Sequence, residues 1–380
     1  MTARGFPVAE FAARVARAKA MMADHGLAAL LLTTEPEVRY FTGYLTRFWE
    51  SPTRPWFVVL PASGKPIAVI PAIGAPVMAR TWVEDIRSWR APDLKDDGVS
   101  LLADTLREVA GTGPVGVPMG HETHLRMPLA DYARLGQAVS LVPDQGIMRS
   151  LRLVKSEAEI DKILTACTIA GRAFDRVGEI AQPGVPLPHV FRRFQMLCLE
   201  EGADWVPYLA GGAGPLGYDD VISPASDAPL AAGDVLMLDT GLVFDGYFCD
   251  YDRNFGIGAV DPRCRDGYRR LIEAVDAAMA AAKPGATAAD LFHAMDRVLT
   301  GGAGGSEAGR YGHGLGMQLT EWPSLIPDDH TELQAGMVLT LEPGVEIADG
   351  QMLVHEENIV IRAGGAERLS PFSGPDLREI

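Results

Sequence analysis

No run of apolar residues in this chain approaches the roughly 18 that a membrane span needs. Basic charge is scarce as well. Thirty-four Lys and Arg stand against 50 Asp and Glu, a formal charge of −16. That balance excludes nucleic acid and anionic membrane as natural partners, because both call for a basic patch. The four cysteines (Cys167, Cys198, Cys249, Cys264) have no Cys-x-x-Cys spacing, so neither a zinc knuckle nor a disulfide framework is indicated. The opening stretch "MTARGFPVAEFAARVARAKA" carries charges throughout and lacks the apolar centre of a secretory signal. These absences lead to the expectation of a soluble, cytoplasmic protein. With 380 residues, 47% of them hydrophobic, there is enough chain for two domains with full cores.

What is present changes character near residue 150. Before it, helical spacing over 8–27, closed by Gly26, alternates with strand-like runs "AALLL", "WFVVLP", "PIAVIP" and "PVGVP" and with the helical "SLLADTLREVA". This mix predicts a small α/β domain over 1–150. Ser156, followed by Glu and Asp, reads as a helix N-cap opening a long helix to about 178, with a second helix over about 187–201. Beyond 230 the runs "DVLMLDTGLVF", "GYFCDYDRNFGIG", "MVLTLEPGVEIA" and "LVHEENIVIR" predict strands, interrupted by helices near 265–282 and 287–300. Strands clustered apart from helices make 151–380 an α+β domain. The glycine-rich "GGAGGSEAG" over 301–309 reads as its most flexible stretch.

Inside those apolar strands stand Asp239, Asp250, Glu342 and Glu356, and between two glycines stands His313. Carboxylates in half-buried strands cost several kcal/mol unless they are paired or bind metal. Asp245-Gly246 is a two-residue hairpin signal that folds 235–243 back on 247–255, bringing Asp239 nearly opposite Asp250 and Asp252. Crowded carboxylates repel one another, and divalent cations remove that penalty. Four carboxylates and one imidazole suit Mn, Fe, Co or Zn, and more than three carboxylates point to two metals sharing bridging oxygens.

The segments "LDTGLVFDGYFCDYDRNF", "GHGLG", "MVLTLEPGV" and "HEENIVI" resemble the signature segments of the M24 metallopeptidase family, which includes methionine aminopeptidase, aminopeptidase P and prolidase. The resemblance implies a five-ligand dinuclear site made of Asp239, Asp250, His313, Glu342 and Glu356. It implies a pita-bread catalytic domain over 151–380, a creatinase-type N-terminal domain before it, and a homodimer. The reaction it implies is hydrolysis of an amide bond in a small Xaa-Pro-like substrate by hydroxide held between two metal ions.

The chain departs from the family's pattern at four places. Family peptidases resemble one another in two further histidines, where this chain has Ile222 and Thr320. An Arg usual two residues before the last Glu is Val354, and a Thr usual two residues after the second Asp is Asp252. Those histidines serve hydrogen-bond donation and proton movement during amide hydrolysis. Thr320 keeps a donor but carries no proton at neutral pH. Asp252 is read as a catalytic base, a further ligand or a support for the ligands, with a salt bridge to Arg253 or another nearby cation as the plainer alternative. Thr320 and Glu321 are further catalytic candidates, and Tyr311 and Trp322 candidate substrate-binding residues. His355 reads as structural, and His121 and His124 as surface residues. The aromatic stretch 40–57 reads either as core or as a substrate lid. The replaced histidines keep a second function open: a lyase of dimethylsulfoniopropionate type, or a hydrolase of small zwitterions or ring amides, built on the same metal site.

Overall fold

The computed structural model describes residues 2–50, 55–304 and 309–380, without the side chain of Glu50. Residues 305–308 of the glycine-rich stretch and 51–54 of the aromatic stretch therefore lie outside the described residues. The chain divides into two compact units, Ala3–Arg152 and Leu153–Ile380.

In the first unit a six-stranded mixed sheet runs, in spatial order, Asp85–Trp89, Ile67–Pro71, Phe57–Pro61, Ala29–Leu32, Val115–Val117 and Leu141–Pro143. The runs "ALLL", "FVVLP" and "IAVIP" are buried at every residue, as central strands covered on both faces must be. Leu102 and Leu106 of the Val99–Ala110 helix share a core with Leu31, Phe57, Val59 and Val69. The first helix, Val8–Asp24, closes in a Schellman motif. Leu27 N–H donates to Met22 O and Gly26 N–H to Ala23 O, with Gly26 at φ +65°. In the aromatic stretch, Tyr40, Phe41, Tyr44, Trp56 and Phe57 are buried, and the Trp56 ring lies 5.4 Å from that of Tyr44. These rings are core of the first unit. The lid expectation for 40–57 finds no support in them.

In the second unit the sheet that carries Asp239 is ordered Arg378–Glu379, Tyr251–Gly256, Val235–Phe244, Trp205–Gly214, with Tyr247–Phe248 also paired to Val235–Phe244. The Asp245-Gly246 turn has φ +47° and +81° between paired Phe244 and Tyr247, the type I′ geometry that matches strand twist. Its register puts Asp252 directly opposite Asp239. Lys162 of the Glu157–Asp175 helix forms a buried ion pair with Asp245 at 2.5 Å, which pins the turn to that helix. The same helix starts where Glu159 reaches back to accept the Ser156 N–H at 2.9 Å.

A second sheet, ordered Glu321–Ser324, His313–Gly314, Val338–Leu341, Glu357–Arg362, Gly365–Arg368, carries His313, with Glu342 just after one strand and Glu356 just before another, while Asp250 directly precedes Tyr251–Gly256 of the first sheet. Asn358 joins the two sheets: its Oδ1 accepts the Asp250 N–H at 3.0 Å while its Nδ2 donates to Asp250 O. The helices Pro262–Ala281 and Ala288–Leu299 cover a core that includes Leu271, Phe292, Leu339 and Ile359. The four cysteines are free and buried.

Candidate metal centre

His313 stands between two glycines for a steric reason. A Cβ on Gly314 would sit 1.9 Å from Trp322 O, and one on Gly312, at φ +144°, would sit 2.3 Å from Thr340 O. Only glycine lets the neighbouring strands close so tightly around the imidazole. The His313 N–H is held by Thr340 Oγ1 at 3.1 Å, and its Nδ1 donates to Gly314 O at 2.8 Å. That fixes the tautomer and leaves Nε2 as the free lone pair, as in a metal-ligating histidine. Nε2 lies 3.4 Å from Asp250 Oδ2 and 3.8 Å from Glu342 Oε2.

Asp250, His313 and Glu356 each offer a ligand atom, all within 4.8 Å of one another, and all three residues are buried. Asp239 belongs to the same electrostatic group. Burial and the charges of Asp250 and Asp252 push its carboxyl far above the ordinary range, against a hydrogen bond from Tyr208. Burial, with Asp250 and Asp239, does the same to Glu356. Burial raises Asp250 to about 6 even though His313 opposes it. Burial pushes His313 down, but Glu342 and Asp250 outweigh it, so its pKa is raised. Asp239 Oδ1 and Glu356 Oε1 are buried without a hydrogen-bond partner among the described residues. Repelling carboxylates with orphaned oxygens around one free imidazole nitrogen form a donor set that fits divalent cations and little else.

Glu356 and Glu357 diverge here. Burial pushes the Glu357 carboxyl up, but Arg253 and His355 outweigh burial and hold it at about 2. Its oxygens are taken by Arg253 at 3.2 Å, by His355 Nε2 at 3.1 Å and by Ser370 Oγ. His355 is fully buried, packed edge-on to Tyr268, and structural.

The remaining candidates divide. Asp252 is 1% exposed; its Oδ1 accepts the Glu356 N–H at 3.1 Å and lies 3.7 Å from His355 Nδ1. Through Oδ1 it supports the backbone of Glu356, one of the roles expected of it, while its Oδ2 is buried without a hydrogen-bond partner among the described residues. Arg253 opposes the effect of burial on the Asp252 carboxyl through its charge, without a direct ion pair among the described residues. Arg253 donates to the backbone oxygen of Asp252 and pairs its side chain with Glu357. The catalytic expectation for Glu321 is corrected: one oxygen meets Lys155 Nζ at 3.2 Å and the other accepts the N–H groups of Met317 and Gln318. Its carboxylate holds a loop. Tyr311 is 2% exposed and stacked on Phe292 at 4.8 Å, inside the core of the second unit. Trp322 is 7% exposed, so neither ring offers an open wall to a substrate. Thr320 is half-buried and accepts from Arg310 Nη2 at 3.5 Å. Ile222, 79% exposed, lies in the segment between the Trp205–Gly214 and Val235–Phe244 strands. Val354 bonds through its backbone to Tyr218 and Asn254. His121 and His124 are exposed.

Two residues at the site escaped the sequence reading. Tyr208 sits on the Trp205–Gly214 strand, whose Pro and glycines hide it from strand propensity. Arg310 donates through Nε to Glu342 Oε1 at 3.2 Å.

The model of the metallopeptidase family M24 matches residues 161–363, and that of the creatinase/prolidase N-terminal domain matches 14–154. The chain belongs to the M24 metallopeptidase family. It is 30% identical over 373 residues to the "Probable dipeptidase PepE" of Mycobacterium bovis, covering 95% of this chain and 94% of that one. It is 32% identical over 231 residues to an Xaa-Pro dipeptidase of Pyrococcus furiosus, covering 59% of this chain and 65% of that one. Among solved structures, dipeptidase PepE from Mycobacterium ulcerans superimposes with a TM-score of 0.84 at 29% identity, covering 99% of each chain. A prolidase from Thermococcus sibiricus superimposes with a TM-score of 0.87 at 22% identity over 99% of this chain and 100% of that one, a likeness of fold. The architecture is therefore a creatinase-type α/β unit followed by an α+β pita-bread unit.

Proposed function

We propose that this protein is a metal-dependent dipeptidase that hydrolyses the amide bond of short peptides, with Xaa-Pro dipeptides as the substrate class. The observation that carries the reading is the set of orphaned, mutually repelling carboxylates around His313 Nε2 in a chain of this family. Asp239, Asp250, His313, Glu342 and Glu356 would hold two divalent ions of the Mn, Fe, Co or Zn class. When bound, such ions supply activated water and polarise the scissile carbonyl.

The chain's own residues contribute orientation and donors. Gly314 O keeps the His313 ring turned, Asn358 and Asp252 brace the backbones of Asp250 and Glu356, and Tyr208 presents its hydroxyl to Asp239. Thr320 offers a hydroxyl but no titratable proton, so the family's imidazole role at that position is absent.

The test is turnover of a panel of Xaa-Pro dipeptides and tripeptides by the purified protein supplied with Mn, Co, Fe or Zn, beside an Asp239→Ala control. Metal-dependent cleavage above about 1 s⁻¹, within the usual enzyme range, is expected from the native chain and not from the variant. Stable metal binding without any cleavage would rule the peptidase reading out. The replaced imidazole at Thr320 favours a second reading, and the same preparation would then be tried on small zwitterions for elimination or ring-opening products.

A further inference from the structure

Among the described residues, a partly exposed cation, Arg310, contacts the candidate ligand Glu342. Arg253 and Lys155 are buried and committed to Glu357 and Glu321. Arg310, by contrast, has a side chain 33% exposed. Its Nε donates to Glu342 Oε1 and its Nη2 reaches Thr320 Oγ1, so both contacts lie along one edge of the guanidinium. Nη1 makes no hydrogen bond among the described residues. The Nη1–Nη2 edge thus presents two parallel N–H donors beside the candidate ligands Glu342 and His313, at the position where Thr320 replaces an imidazole.

We propose that Arg310 is a specificity-determining residue of this site and binds the free carboxylate of a short-peptide substrate. A guanidinium edge matches a carboxylate bidentately, and the charge is permanent, so the role is recognition and not proton transfer. Beside Glu342 the guanidinium gives an anionic group a hydrogen-bonding partner that the neighbouring carboxylate cannot. The Glu342 contact holds the fork in place and costs the edge none of its outward donors. The substrate's peptide nature rests on the function proposed above, whereas its negative charge rests on the guanidinium geometry.

The experiment is calorimetric binding of two probes to the metal-loaded protein. One is a reduced-amide analogue of Ala-Pro, with CH2 in place of the scissile carbonyl; the other is the C-terminal carboxamide of that analogue. Arg310→Met and Arg310→Lys are titrated beside the native chain, bound metal is counted in each, and Ala-Pro turnover is followed in parallel. The native chain is expected to bind the carboxylate form about tenfold or more tightly than the carboxamide. Arg310→Met should lose that preference with metal content unchanged, and Arg310→Lys should keep some of it. Equal binding of both probes by the native chain overturns the proposal. So does a preference that survives in Arg310→Met, or a loss of metal in Arg310→Met that Arg310→Lys restores without a carboxylate preference, since Arg310 would then serve Glu342 alone. An Arg310-dependent preference without turnover would overturn the peptidase reading and leave this one standing.

Discussion

At the scale of single residues, adjacent side chains of one type do opposite work. Glu356 joins Asp250 and His313 in the candidate ligand cluster and keeps an orphaned oxygen, while Glu357 points back into Arg253, His355 and Ser370. Removing one partner of such a buried pair leaves the other charge uncompensated. Glu357→Gln is therefore expected to destabilise the fold by about 3–5 kcal/mol in denaturant unfolding. The pH dependence has a definite sign. Glu357 is held at about 2 against an ordinary 4.5, so its contribution is complete above about 4.5 and lost as pH falls through about 2. Between those values the native chain should lose stability with acid while Glu357→Gln shows a shallower fall. Parallel curves would contradict the assignment. The offset to "NIVI" singles out Glu356 over Glu357 as the candidate ligand, and the orphaned oxygen of Glu356 fits that choice. Which of its open roles Asp252 takes was not legible, because strand periodicity gives a direction and not what already fills the space there.

At the scale of elements, the site depends on close backbone approach. The glycines around His313 are legible in "GHGLG", but their cause, the carbonyls of Thr340 and Trp322, comes from strands remote in sequence. Gly314→Ala forces a methyl against Trp322 O and must push the paired strands apart. It is expected to cost about 1–3 kcal/mol in stability and to lower metal affinity by turning His313. Unchanged metal affinity in a folded Gly314→Ala protein would show that the glycine serves packing only. The Asp245-Gly246 hairpin was readable because its turn chemistry is local. The neighbouring strand Trp205–Gly214 was not: its glycines and a proline mask a segment ordered by pairing to Val235–Phe244, and Tyr208 was missed with it. Arg310 was missed for a similar reason, since nothing in its local sequence tells that it meets Glu342 thirty-two residues on.

At the scale of the whole molecule, the proposed metal ions would compete with protons for the same carboxyls. Asp239, Asp250 and Glu356 are raised above their ordinary values without a metal, chiefly by burial, with Asp250 at about 6. A raised acid binds more protons folded than unfolded, so the metal-free fold loses stability as pH climbs toward 6 and beyond. Divalent metal relieves that penalty, and binding to the folded state alone adds about 2.7 kcal/mol at a hundredfold excess over Kd. The rise in melting temperature on adding Mn or Co should therefore be larger at pH 7.5 than at pH 5; a shift independent of pH would place the metal elsewhere. The most direct test of the central claim is stepwise metal addition to the metal-free protein, with bound ions and Ala-Pro hydrolysis followed together. The account predicts that hydrolysis appears with metal and levels off at two bound ions, with neither seen in Asp239→Ala. Two tightly bound ions and no hydrolysis, or hydrolysis that persists in Asp239→Ala, would contradict it.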